Sequence, residues 1–337
     1  MIEKISKYRS ALMGAATLMV VAYHYRLNFN SDVIRNIASI GYSGVDIFLF
    51  VSGFGLFCGY CKRPDGFLLR RFLRVYPTYL LYLVVLAVFS SRYTIGESLL
   101  ASTGIGYYLP FSHIKWFDWY IPTMFLLYGL FPLMAKLIAP PKLQHSNSRA
   151  PIAFVSLGLL GILLTVMLIV FQKGTVMLTV SRIPIFVLGT AAGYCFMNGY
   201  KCKAIIEYVL IAVCLIALPI EIYCVNTLTH EYLWRNAIYF LPFLIITPGI
   251  ILICVKLFLK LPNVILGILS FVGSISMEVY LIHLVLLGSF EYTKSIYGFP
   301  IFIVAVLFVS YCFKLGVSQT IKCIDDAITK NRMVRRG

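Results

Sequence analysis

Five ionisable residues stand in stretches that are otherwise apolar. His24 lies in "TLMVVAYHYRLNF" (17–29), Asp46 in "GVDIFLF" (44–50), Arg182 in "SRIPIF" (181–186), and Glu278 and His283 in "SMEVYLIHLVLL" (276–287). A near-neutral imidazole can take a proton from a hydroxyl and pass it on. Ionisable groups inside an apolar medium are costly, so they face a cavity or one another. A second constellation is Arg70, Arg71 and Arg74 in "FLLRRFLRVYP" (67–77). Guanidinium forks bind phosphate oxygens bidentately, but the same arginines also suit a plain anchor at a membrane surface. Cys58 and Cys61 have CxxC spacing, but no second pair or nearby histidine completes a zinc set, so no metal is expected.

The elements that must position these groups follow from composition. The chain has 337 residues, 60% hydrophobic and 12% charged, with a mean hydropathy of +0.89. Soluble domains carry about 25% charged residues. The expected fold is an all-α, polytopic membrane helix bundle forming one domain over 1–337, with a short basic tail at 319–337. Apolar segments fall at 11–30, 41–60, 72–90, 119–138, 151–171, 180–198, 203–224, 236–255, 263–289 and 299–318, each near the length of a bilayer-crossing helix. The stretch 91–117 is the longest loop and suits a short interfacial helix. No cleavable signal peptide is expected, because the first apolar run is too long and lacks a cleavage site.

The net charge of +16 carries topology. With the N-terminus in the cytoplasm and ten spans, the outer loops hold Arg26, Arg35, Arg92, Lys115, Lys173, Arg182, Arg235 and Lys294. These eight leave 21 of the 29 Lys and Arg on the inner side. That is the positive-inside asymmetry, and it puts both termini in the cytoplasm. No basic domain stands clear of the bilayer, so nucleic acid is not an expected partner.

Orientation then gives depth. His24, Asp46, Arg182 and His283 all fall toward the outer surface, on four different helices, which suggests an outward-opening polar chamber. On the first helix, Met13, Thr17, His24 and Asn28 lie within about 60° of one another and should face the bundle. Two readings of His24 stay open at this level: a packing histidine bonded to a neighbouring helix, or a catalytic base. Glu278 lies about 140° around the helix from His283, which argues against its orienting that imidazole. Trp116, Trp119 and Tyr120 suit an aromatic belt, and Lys115 and Asp118 beside them are candidate acceptor contacts.

Six blocks resemble the acyltransferase 3 family of integral membrane acyltransferases. They are "LMGAATLMVVAYH" (12–24), "GYSGVDIFLFVSGF" (41–54), "FLLRRFLRVYPTYL" (67–80), "WYIPTMFLLYGLFP" (119–132), "SRIPIFVLGTAAGY" (181–194) and "SMEVYLIHLVLL" (276–287). They occur in the family's order over nearly the whole chain. The resemblance implies a cell (cytoplasmic) membrane enzyme that moves an acyl group, usually acetyl, from cytoplasmic acyl-CoA to a hydroxyl of a surface or exported saccharide. It implies His24 as the catalytic residue and Arg9, Arg70, Arg71 and Arg74 as the acetyl-CoA-binding set. Asp46, Ser52, Trp119, Arg182, Tyr280 and His283 are then the acceptor-side candidates. Members commonly carry an arginine eleven residues before the histidine; here that position is Met13, with Arg9 one turn nearer the cytoplasm and about 60° off the His24 face. The fourth-helix glutamate of some members is Met124 here.

A transporter or flippase of lipid-linked saccharide would also be a multispanning bundle with a polar chamber. Such proteins often show matched halves with broken helices, and no internal repeat is visible in this sequence.

Overall fold

The structure is a computed structural model describing residues 2–89, 94–109, 119–138, 150–171, 174–228, 237, 240–288 and 296–334. Among these residues there is helix and turn but no strand. The main helices are α1 (Arg9–Tyr25), α2 (Gly44–Lys62), α3 (Phe67–Phe89), α4 (Ile95–Ser102), α5 (Tyr120–Ile138), α6 (Ala150–Val170), α7 (Ile183–Met197), α8 (Ala204–Thr227), α9 (Phe243–Phe258), α10 (Asn263–Ser274), α11 (Ser276–Leu287) and α12 (Gly298–Val334).

Each of the ten apolar segments overlaps helix among the described residues, but not all are alike. Among the described residues, seven helical stretches are long and apolar enough to cross a membrane, or eight if the pair α10–α11, bent by 75°, is one span. The two others are short: α1 has 17 residues and starts on Arg9, and α9 has 16. The helix expected in the 91–117 loop is α4, closed at its N-terminus by a reciprocal Thr94–Glu97 capping box. Trp116, Lys115 and Asp118 lie outside the described residues.

Helix α2 is the centre of the bundle. Every residue from Gly44 to Val51 is buried, as befits a helix that is apolar on all sides. At the periphery, α6 and α8 expose large apolar side chains such as Leu159, Leu163, Ile216 and Ile220, which in lipid are at home.

Two glycine contacts set the register of the centre. A Cβ on Gly53 would collide with the Phe186 carbonyl, and one on Gly189 with the Phe50 carbonyl. A Cβ on Gly14 would collide with the Leu269 carbonyl, and one on Gly273 with the Ser10 carbonyl. Bare backbone at these positions lets α2 and α7, and α1 and α10, approach closely, the small-residue contact by which membrane helices associate. Gly273→Ala is therefore expected to destabilise the protein by about 1–3 kcal/mol through overpacking. Gly267, whose Cβ would meet only open space, is the control. Melting in detergent checks this: the Gly267→Ala protein should melt with wild type and the Gly273→Ala protein below it.

Candidate functional site

His24 and His283 meet. The Nε2 of His283 is 3.1 Å from the Nδ1 of His24, and the ring centroids are 4.9 Å apart. Each Nδ1 also lies 2.9 Å from the carbonyl four residues earlier in its own helix, Val20 for His24 and Val279 for His283. His283 is fully buried, whereas His24 is half-buried. The pairing follows from the helix register. The sequence offset between the two histidines is 259 residues, and the same offset separates Gly14 from Gly273. Thus α1 and the α10–α11 segment ascend together from the glycine contact to the imidazoles. Arg26 is held locally: its Nη1 donates to the Tyr23 carbonyl at 2.7 Å, and its guanidinium lies over the Tyr23 ring at 4.0 Å.

Asp46 and Arg182 form a second buried pair. Arg182 Nη1 is 3.0 Å from Asp46 Oδ1 and donates to Oδ2 at 3.2 Å, with both side chains 3% exposed. The offset here is 136 residues, which is also the offset between Gly53 and Gly189. Both residues sit at helix starts, Asp46 in the first turn of α2 and Arg182 at the N-cap of α7. The guanidinium carbon lies over the rings of Phe240 at 4.8 Å and Trp119 at 5.9 Å. Cβ atoms built on Gly41 and Gly44 would meet Met19 and Ala16 carbonyls respectively, so α2 descends antiparallel to α1. That register puts Asp46 level with Gly14, ten residues and so nearly three turns below His24. The four residues expected at one depth therefore make two pairs at two heights.

The third feature is a cavity of about 480 Å³ between α1, α2, α3, α5, α11 and α12. Arg9, Arg71, Arg74 and Lys314 line it, as do Ser52, Glu278 and Tyr280. A Cβ on Gly55 would press on Arg9 Nη1, and one on Gly59 on Arg71 Nη2; the bare α2 backbone makes room for both guanidinium groups. The long Arg9 side chain thus reaches the cavity that Met13 also lines. Arg74 is exposed and Arg71 half-buried. Ser52 is within hydrogen-bonding reach of the hydroxyls of Tyr120 and Tyr128 on the cavity wall. Lys314 Nζ donates to the Ser274 carbonyl at 2.7 Å, where α10 ends and the chain bends into α11. Glu278, in the first turn of α11, adds a carboxylate opposite four cationic side chains. Neither histidine lines this cavity. Tyr280 does, and its ring centroid is 6.1 Å from that of His283.

Of the expected donor-binding set, Arg9, Arg71 and Arg74 come together. Arg70 does not: it is exposed, and its guanidinium donates to the Arg63 carbonyl at 2.5 Å and to the Asp65 carbonyl, tying down the turn before α3. Of the expected acceptor-side set, Ser52 and Tyr280 line the cavity, His283 pairs with His24, and Asp46, Arg182 and Trp119 form the separate ion-pair cluster. Sequence reasoning missed Lys314 and Tyr128. A cation inside the apolar segment 299–318 was the signal for the first. Tyr120, Met124 and Tyr128 recur at four-residue spacing, one helix face, and all three line the cavity.

Among the described residues no cluster of three or more His, Cys, Asp or Glu side chains could hold a metal ion. No curated protein and no solved structure matches the chain. A family profile does, that of the acyltransferase 3 family, described as an acyltransferase domain, over residues 11–317. That match takes in α2 to α11 whole and most of α1, with the imidazole pair, the ion pair and the cavity lining apart from Arg9 and Ser10, and the chain belongs to this family of acyltransferases.

Proposed function

We propose that the protein transfers an acyl group, acetyl in the first instance, from cytoplasmic acyl-CoA to a hydroxyl of a cell-surface or exported saccharide. Its ten helical segments cross the cytoplasmic membrane with both termini inside, as the Lys and Arg distribution favours. The observation that carries the reading is the cavity: four cations gather at one space whose wall includes Tyr280, beside the imidazole pair.

Arg71, Arg74, Arg9 and Lys314 bind the phosphates of the donor; the exposed Arg74 makes first contact. The pantetheine arm occupies the cavity along Ser52 and Met13, bringing the thioester toward Tyr280. His24 is the general base. It takes the proton of the acceptor hydroxyl as the oxygen bonds to the thioester carbonyl carbon. When the carbon–sulfur bond breaks, the thiolate leaves with the proton that His24 held. The apolar bundle around this path keeps bulk water from the thioester. Met13, where many members carry arginine, leaves that cation to be supplied by Arg9.

The test uses the purified protein in nanodiscs with radiolabelled acetyl-CoA and saccharide acceptors from the native cell surface. Label should pass to the acceptor, and Arg74→Gln should raise the donor KM by roughly 10-fold for one lost charge-assisted phosphate contact. Absence of thioester consumption with any acceptor would sink the enzyme reading. An unchanged donor KM in both Arg71→Gln and Arg74→Gln would remove the arginines from donor binding.

A further inference from the structure

The geometry points to His283 as the positioning residue that sets the tautomer of His24, an inference that rests on His24 acting as the base. A carbonyl oxygen only accepts, so the nitrogen 2.9 Å from it must donate. Val279 O therefore fixes the hydrogen of neutral His283 on Nδ1 and leaves its Nε2 with a lone pair. Val20 O also favours the hydrogen of His24 on Nδ1, but that carbonyl already accepts the backbone N–H of residue 24 in the helix, so it does not hold the tautomer alone. That same hydrogen faces a second acceptor, the His283 Nε2 at 3.1 Å. The reverse assignment, His283 Nε2 donating to His24 Nδ1, would set an unprotonated nitrogen against the carbonyl at both Val20 and Val279. Only one arrangement of the neutral pair satisfies all three contacts, and it leaves His24 Nε2 unprotonated, the form a base needs.

Burial makes the assignment directional. His283 is fully buried behind the half-buried His24, so its partners are protein groups and its own tautomer is held by Val279. As His24 Nε2 takes the hydroxyl proton, His24 becomes an imidazolium whose Nδ1–H points at an acceptor already in place. The orienting part that a carboxylate plays in the serine-protease triad is here played by a neutral imidazole. It holds the ring without bringing a fixed negative charge into the bundle, where an unpaired carboxylate would be costly. Glu278 is not that partner, because it lines the cavity from the first turn of α11.

The experiment has a spectroscopic arm and a kinetic arm. The full chain, labelled with ¹⁵N-histidine and held in nanodiscs, contains five histidines; comparison with His24→Asn assigns the His24 signals. In the wild type, His24 should show a protonated Nδ1 and an unprotonated Nε2, and His283→Phe should give a mixture of tautomers. In turnover, His283→Phe should lower kcat by about 30- to 100-fold with the donor KM within about twofold, as for loss of an orienting group behind a catalytic histidine. His283→Gln, which can place an amide oxygen near the lost Nε2, should recover kcat to within about fivefold. A wild-type His24 protonated on Nε2, or a His283→Phe kcat within about twofold of wild type, overturns the assignment. If the wild type consumes no acyl-CoA at all, the acyltransferase reading fails, and the wild-type and His283→Phe spectra together still decide whether His283 holds the tautomer.

Discussion

His24→Asn is expected to lower kcat for acyl transfer by about 10²- to 10⁴-fold, the usual worth of a general base, while donor affinity and folding persist. The reason lies in which atom is lost. The asparagine amide nitrogen falls near the place of imidazole Nδ1, so it can still donate to Val20 O and toward His283. What disappears is the Nε2 lone pair. A saccharide hydroxyl at neutral pH is then left to attack without a group to receive its proton. The cavity does not include His24, so acetyl-CoA should bind as before. Single-turnover transfer, donor binding and melting, measured on the same preparation, check the three claims together. A variant that kept kcat within about fivefold would remove His24 from the chemistry.

The second large effect is on stability. Arg182→Met is expected to destabilise the protein by about 3–5 kcal/mol, because it strands a buried Asp46 without its counter-charge. Phe240 and Trp119 flank the guanidinium, so the variant also loses its packing there. The double variant Asp46→Leu with Arg182→Met should recover much of the loss, since an apolar pair of similar volume is often as stable as a buried ion pair. Melting in detergent and yield of monodisperse protein are the measurements. A single variant that melted with wild type would mean that the pair does not hold α2 to α7. The prediction separates the two polar pairs: breaking Asp46–Arg182 should cost folding, whereas altering His24–His283 should cost turnover.

Much of the fold is legible in the sequence. The ten apolar segments each overlap helix because apolarity and length are local properties. The 91–117 loop yielded α4 because Thr94 and Glu97 form a capping box within four residues of each other. Less legible was the count of full-length spans, since α1 and α9 are short and the ninth segment breaks at Ile275, between Ser274 and Ser276. The arginine cluster reads as one group in sequence but divides in space. Arg70 turns back to the carbonyls of its own preceding turn, and Arg71 and Arg74 face the cavity. Arg9, about 60° off the His24 face, still enters because Gly55 removes the side chain that would block it.

By itself the sequence determined the class of molecule, the residues able to do chemistry and the family they belong to, because composition, periodicity and short motifs are read within a few turns of helix. It could not say which ionisable groups meet. His24 finds His283 across 259 residues and Asp46 finds Arg182 across 136, and no local pattern encodes those distances. Helix packing decided them. Gly14 with Gly273, and Gly53 with Gly189, let backbones close to contact at one register only, and each polar pair keeps the same offset, ten residues after the first glycine pair and seven before the second. The cavity too belongs to the tertiary structure: its cations come from α1, α3 and α12, elements brought together only once the bundle has closed around α2.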